Sequence, residues 1–326
     1  MNRRVESRQL CALTFSAFTV PAIMLLPRLG WLWAGAVSLV SAGLIALLLR
    51  LGSGEAALRS AVGCPFGKAG LAALLLWNVF ALGSTARLLC QSYPNGTTLI
   101  GLLLLLLAAY AASKGRKVVL RTGALVFLFL AVLYVVLIGF SLSDLRVRWL
   151  APQKTADWRL FSAALLPTCG VWLTETENGR TAAGWLIGGV ALAVLAALVT
   201  AGGLSPQVAA QESFPFYAAA KSVSIFGALE RLEPIVSAAV TAGGFCALGL
   251  LCCLNEKLLG ILTAKKEKTS GAQLVNFFGG SGGVWLSGVL PTAVTAVGST
   301  IFWGLVPLGL LLLENWEKFK KTQKNA

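Results

Sequence analysis

Apolar runs of about 20 residues, long enough at 1.5 Å rise per residue to cross a bilayer, recur along the whole chain with only short polar breaks between them. The stretch "LIGLLLLLLAAYAA", residues 99–112, has no alternation of polar and apolar positions, so it does not fit a strand of a membrane barrel. In hydrocarbon every backbone polar group must be satisfied within the segment or a closed sheet, so such runs become helices. Spans are expected near 10–27, 31–50, 69–89, 97–113, 118–141, 160–178, 182–203, 234–254, 272–292 and 296–313. This predicts an all-α, multi-pass integral membrane protein of about ten transmembrane helices. Only 12% of residues are charged and 57% are hydrophobic, whereas soluble domains carry about a quarter charged residues. No large soluble domain fits in what remains. The first span follows Arg3, Arg4 and Arg8 and lacks an A-x-A cleavage site, so it reads as a retained helix.

The formal net charge of +14 raises the question of a nucleic-acid partner. The positions of the basic residues answer it. Arg3, Arg4 and Arg8 precede the first span, Arg50, Arg59 and Lys68 separate the second from the third, and Lys114, Arg116, Lys117 and Arg121 separate the fourth from the fifth. Lys257, Lys265, Lys266 and Lys268 follow the eighth, and the chain ends "EKFKKTQKNA". The positive-inside rule accounts for this pattern if both termini are cytoplasmic, with 314–326 a basic cytoplasmic tail. The lipid bilayer is then the partner of these charges, and no nucleic acid is expected. Arg146, Arg148 and Lys154 in an external loop, and a base-poor cytoplasmic turn near Arg180, run against the pattern.

The chain has seven cysteines and no histidine. Cys11, Cys90, Cys169, Cys246, Cys252 and Cys253 fall in or beside apolar spans, where a thiol serves as a small hydrophobe. Without histidine there is no Ser-His-Asp relay and no His-type zinc site, and the cysteine spacings do not suit a Cys-only site. The chain is expected to be no enzyme and to carry no metal or cofactor.

Ten helices invite division into two inverted halves of five, repeat one at about 9–141 and repeat two at about 158–313, within one domain. Each half opens with a segment that can break. Span one contains "FTVPAIMLLPRLG", with Pro21 and Pro27; span six contains "LLPTCGVWLTETEN", with Pro167 and Gly170. Proline removes a backbone donor and glycine tolerates unusual dihedrals, so both segments can turn backbone groups toward a ligand. A simple proline kink is the alternative for either one. The expected ligand-binding residues are Thr19, Val20, Pro21 and Ala22 from the first segment, Thr168, Cys169, Gly170 and Val171 from the second, and Ser84 beside them. Arg87, one turn from Ser84, either contacts an anionic ligand group or snorkels to the headgroups. Glu175 and Glu177 fall where span six runs out and read as solvated helix-end charges.

Residues 204–233, between spans seven and eight, form an external stretch. Within it Phe216, Ala219, Ala220, Val223 and Gly227 share one helical face, as in a short amphipathic helix lying over the bundle. Pro234 suits the first turn of span eight, which sets Glu230, Arg231 and Glu233 at its outer entrance as vestibule or gating charges. Glu230 and Glu233 complement the positive end of that helix; Arg231 does not.

Four pieces of sequence carry a resemblance. "ESRQL" and "MLLPRLGWLWAG" look like a serine-x-glutamine opening followed by L-x-L-P-R and G-W; "AYAASKGRKVVLR" supplies Tyr110, Gly115 and Arg121 at the junction of helices four and five; and "FPFYAAAKSVSIFGALERLEP" leads from an aromatic-proline segment to Glu-Arg-x-Glu. In this order they resemble the spore-germination permeases, the B subunits of germinant receptors, in the amino acid-polyamine-organocation transporter superfamily. The resemblance implies a LeuT-like 5+5 inverted repeat with helices one and six broken, a place in a receptor complex with other subunits in the spore inner membrane or cell membrane, and sensing of a small germinant such as an amino acid. It also makes Glu230 and Arg231 a family hallmark of the outer vestibule.

Two places depart from the family. Val20, Pro21 and Ala22 stand where relatives have a glycine-rich break, and "GVW" stands for G-x-E, so Trp172 replaces a carboxylate that would meet a ligand amine or a cation. Two other readings stay open: an amino-acid permease of the same fold, and a non-transporting assembly subunit.

Overall fold

The computed structural model describes residues 3–52, 54–63, 67–91, 98–142, 145–150, 165–173, 179–212, 214–222, 233–263 and 270–325. Among them every regular element is helical. In chain order these are α1 (Arg3–Leu25), α2 (Trp31–Leu51), α3 (Gly54–Val62), α4 (Gly67–Gln91), α5 (Thr98–Ser113), α6 (Arg116–Ser141), α7 (Gly179–Gly203), α8 (Pro206–Gln211), α9 (Pro215–Ser222), α10 (Glu233–Thr263), α11 (Ser270–Leu274), α12 (Gly280–Val289), α13 (Thr292–Ser299) and α14 (Val306–Asn325). The 3-10 turns Leu26–Leu29, Val147–Trp149 and Leu166–Leu173, and the π turns Val275–Gly279 and Thr300–Leu305, complete the list.

Among the described residues seven helical spans are long and apolar enough to cross a membrane: Arg8–Arg28, Trp31–Leu51, Gly67–Cys90, Arg116–Ser141, Trp185–Gly203, Pro234–Thr263 and Thr292–Trp316. The expected ten therefore reduce to seven by this measure. The fourth, Thr98–Ser113, has only 16 residues; the ninth carries Gln273, Asn276 and several glycines and serines and is not apolar enough; and the sixth is described only over 165–173.

Burial and polarity are uncoupled in the way a lipid solvent demands. The window of Arg8–Arg28 is 100% buried, whereas that of the more apolar Arg116–Ser141 is only 28% buried. Leu39, Leu76, Leu125, Leu128 and Trp285 are all more than half exposed. In water such a surface would drive aggregation. Facing acyl chains it costs nothing, and the chain is an all-α, multi-pass membrane protein.

Helix α1 is the axis of the bundle. It packs against α6, α7 and α10 and against the 3-10 segment Leu166–Leu173, while α10 also covers α4, α5 and α6. Two further crossings close the outside, α2 on α7 and α4 on α12. The second works because it has no side chains in the way: a Cβ on Gly83 would fall on the backbone of Gly280, Gly283 and Val284. Small residues at such crossings let helices gain dispersion contacts where hydrocarbon offers no hydrophobic drive to associate.

The break expected at Pro21 is not there. Helix α1 continues through Pro21 to Leu25. A proline removes a single backbone hydrogen bond, and a helix packed on every side tolerates that loss. The chain turns instead at Pro27–Gly30, where the Gly30 N–H donates to the Pro27 carbonyl at 3.1 Å and Gly30 adopts φ 77°, a left-handed value that glycine reaches without strain. The second expected break does depart from α geometry: residues Leu166–Leu173 wind as a 3-10 helix.

Contacts sort into two ends of the bundle. At one, Arg116 approaches Glu6 at 4.0 Å and Lys257 meets Glu55 at 2.9 Å. At the other, the Trp31 indole donates to the Leu150 carbonyl at 2.9 Å and the Arg146 N–H to Gly202 at 3.0 Å. This second end also carries α8, capped by Ser205, and α9, whose Phe216 and Ala219 are buried as the amphipathic pattern predicts. Val223, Gly227, Glu230 and Arg231 lie outside the described residues, and Glu233 and Pro234 open α10.

Candidate functional site

The strongest concentration of buried polar chemistry lies where α1, α4, the 3-10 segment and the second π turn meet. Asn78 of α4 interrupts "LLLWNVFAL" and is fully buried. Its Oδ1 accepts from the Trp303 indole N–H at 2.9 Å and from the Cys169 thiol at 3.7 Å. An indole can only donate, so Trp303 fixes which way the amide faces. The Nδ2 group is consequently turned away, and it finds no acceptor among the described residues. Trp172, fully buried, likewise has an indole N–H without a partner, and so does Trp77 beside Asn78. A buried donor left unmade costs about 1–3 kcal/mol, and at this centre the unmet groups are donors.

Trp303 reaches Asn78 because it sits on the π turn Thr300–Leu305. One extra residue in the turn shifts the register of the following side chains, and π turns recur at functional sites. The same turn carries Phe302, which stacks on Trp77 with ring centroids 5.3 Å apart.

Gly170 faces α1 at Thr14: a Cβ there would sit 2.7 Å from Thr14 Oγ1. Thr14 is five residues from Thr19, about 7–8 Å along the helix. Thr168 and Cys169 are fully buried and Val171 nearly so, with the Thr168 hydroxyl donating to Leu165 O at 2.7 Å. On α1, Thr19, Val20, Pro21 and Ala22 are also buried. The Thr19 hydroxyl donates to Phe15 O at 2.8 Å, Val20 abuts Gly243 of α10, and Ala22 packs among Phe18, Ala34 and Ala197. Gly170 thus meets α1 at Thr14, ahead of the first expected segment, which begins at Phe18. A bulky side chain at Gly170 would push on α1 before it met any ligand, so Gly170→Ala probes this contact. It should lower the melting temperature by a few degrees, and co-substitution Thr14→Ala should restore most of the loss; no rescue would mean this contact is not where the strain arises.

Ser84 donates to Ala81 O of its own helix at 2.9 Å. Half-buried Arg87 spans the α4–α12 crossing, its Nη1 donating to Val284 O at 3.4 Å and its guanidinium lying over Gly288. Neither opens into the polar centre. Glu175, Glu177, Glu230 and Arg231 lie outside the described residues, and Glu233 only marks the start of α10.

A small cavity of about 10 Å³, room for one water, lies at the end of α1 beneath α9, between Ile23, Met24, Phe216, Tyr217, Val236 and Ser237. Ser237 donates to the Tyr217 hydroxyl at 3.3 Å across it. It is apolar apart from that pair and is roofed by α9.

The six cysteines of the described spans are free and buried, as expected of small hydrophobes, with Cys169 also serving Asn78. Among the described residues no cluster of three Cys, Asp or Glu stands ready to hold a metal ion. Thr14, Asn78 and Trp303 were not foreseen as site residues. An isolated asparagine within an apolar run was the available signal. Compared with known proteins, the chain matches no family model and no curated protein.

Proposed function

We propose that the chain is the permease-like, germinant-sensing subunit of a spore germination receptor, binding a small nutrient such as an amino acid inside the bundle and passing that event to partner subunits. The observation that carries the reading is the non-α segment Leu166–Leu173 held against the buried apolar part of α1 beside an under-satisfied polar centre. Discontinuous helices at the middle of a repeat fold are where such bundles receive solutes.

The packing pattern supports the inverted repeat. If the spans are numbered as expected, the helices nearest the two-fold axis of an inverted repeat meet their counterparts five spans on. One of the cross-pairs also comes with its mate. Spans one and six touch as α1 and the 3-10 segment, two and seven as α2 and α7, and three and eight as α4 and α10. The pairing of three with nine, α4 with α12, is matched by eight with four, α10 with α5. The four sequence pieces quoted above add the family, and the basic residues favour both termini on the cytoplasmic side.

The test is genetic. Deleting the gene should block germination in response to the cognate nutrient while vegetative growth on that nutrient is unchanged. Impaired growth with normal germination would make the chain an ordinary amino-acid permease.

A further inference from the structure

The ligand class follows from what the polar centre lacks. Its free capacity consists of donors: the two N–H bonds of Asn78 Nδ2 and the indole N–H of Trp172, all in fully buried side chains. Cys169 relates the two groups. Cys169 already touches Asn78, and Trp172 stands three residues on in a 3-10 helix, where residues i and i+3 eclipse on one face. No charged side chain is among Thr14, Asn78, Thr168, Cys169, Trp172 and Trp303. A carboxylate brought here would be an ion buried without a counter-ion, which is far more costly than burying a neutral acceptor that gains hydrogen bonds. An ammonium would find donors where it needs acceptors.

We infer that Asn78 and Trp172 bind an uncharged hydrogen-bond acceptor of the ligand, an amide carbonyl or a hydroxyl oxygen, and that this end of the site rejects carboxylates and amines. The inference rests on the reading above that a small solute enters between α1 and the 3-10 segment. The rest of the geometry supports the choice. Trp303 and Cys169 hold the amide oxygen, so Asn78 cannot rotate to offer it to a cationic group without leaving the indole N–H unmet.

Propionamide and propionate have nearly the same shape and differ in charge, and 1,2-propanediol offers a hydroxyl in the same volume. Saturation-transfer NMR on the full chain in lipid nanodiscs should detect propionamide, propanediol or both, and not propionate. Trp172→Phe removes one unpartnered N–H and no acceptor, so the variant should accumulate normally. Its affinity for the neutral probe should fall about tenfold, the loss of about one hydrogen bond. Asn78→Asp, which keeps the oxygen facing Trp303 and replaces the donor, should abolish binding. Propionate binding as well as propionamide would overturn the inference. So would an unchanged propionamide signal in Trp172→Phe, or no binding of any probe, the result expected if ordered water alone meets these donors. None of these results depends on germination, so a failure of the receptor reading is seen separately, in the deletion strain.

Discussion

Alanine at Gly54 is expected to destabilise the protein by about 3 kcal/mol, although alanine is the better helix former and α3 is a helix. The reason is what lies beside it. A Cβ at Gly54 would collide with the Val171 carbonyl oxygen and stand 2.5 Å from Trp172 Cα, both backbone atoms of the 3-10 segment. Backbone cannot swing aside as a side chain can, so either α3 lifts away or the segment carrying Cys169 and Trp172 shifts. Gly43 provides the control, since nothing stands within 4 Å of a Cβ there and Gly43→Ala should leave the melting temperature unchanged or slightly raised. The measurement is thermal unfolding of the two purified variants in the same detergent. Equal melting temperatures would show that α3 does not brace the segment. Ligand response should fall with Gly54→Ala even under conditions where the protein remains folded, because Trp172 moves with its backbone.

The membrane fold was legible because period and length are strong signals in hydrocarbon: an apolar run of the right length has nowhere to go but across. The amphipathic α9 was legible for a similar reason, with Phe216 and Ala219 spaced to one face. Proline was the misleading signal. At position 21 it suggested a break, yet the surroundings of α1 outweigh one missing hydrogen bond, and the turn appears at Gly30, where a positive φ is available. The polar centre was half legible. Gly170 and Cys169 lie in the expected break, but Asn78 carries no charge to mark it in an apolar run, although a neutral amide in hydrocarbon makes the same demand for partners. Trp303 could not have been found from "TIFWGL" alone, since nothing in that stretch marks the π turn that carries it to Asn78. Trp172 replaces a carboxylate only by the resemblance; the structure adds that its indole N–H is buried and without a partner among the described residues.

At the end of the bundle opposite α9, the pair Lys257 and Glu55 should prove the most consequential ionic contact among the described residues. Lys257 Nζ lies 2.9 Å from Glu55 Oε2, with the side chains 9% and 21% exposed, and it ties α10 to the helix that braces the 3-10 segment. Arg59, four residues along α3, also reaches Glu55, at 2.8 Å, but its side chain is 72% exposed. Burial alone would raise the Glu55 carboxyl; the hydrogen bond and charge of Lys257, followed by those of Arg59, outweigh it and hold the group below its ordinary value of 4.5. Lys257→Met keeps the apolar stem and removes the charge, leaving Glu55 partly buried with only its exposed neighbour. The expected loss is about 2 kcal/mol, short of the ~3–5 of a fully buried pair because Glu55 retains some solvent. Arg59→Met should cost about 0.5 kcal/mol, as an exposed i,i+4 pair does. A carboxyl held low when folded contributes its stability above the unfolded value and loses it as pH falls through the folded one. The gap in melting temperature between wild type and Lys257→Met should therefore be full at pH 7 and narrow progressively below about 4.5. A gap of the same size at pH 7 and pH 3 would assign the loss to the packing of the lysine stem, and a larger effect from Arg59→Met than from Lys257→Met would make the exposed contact the one that matters.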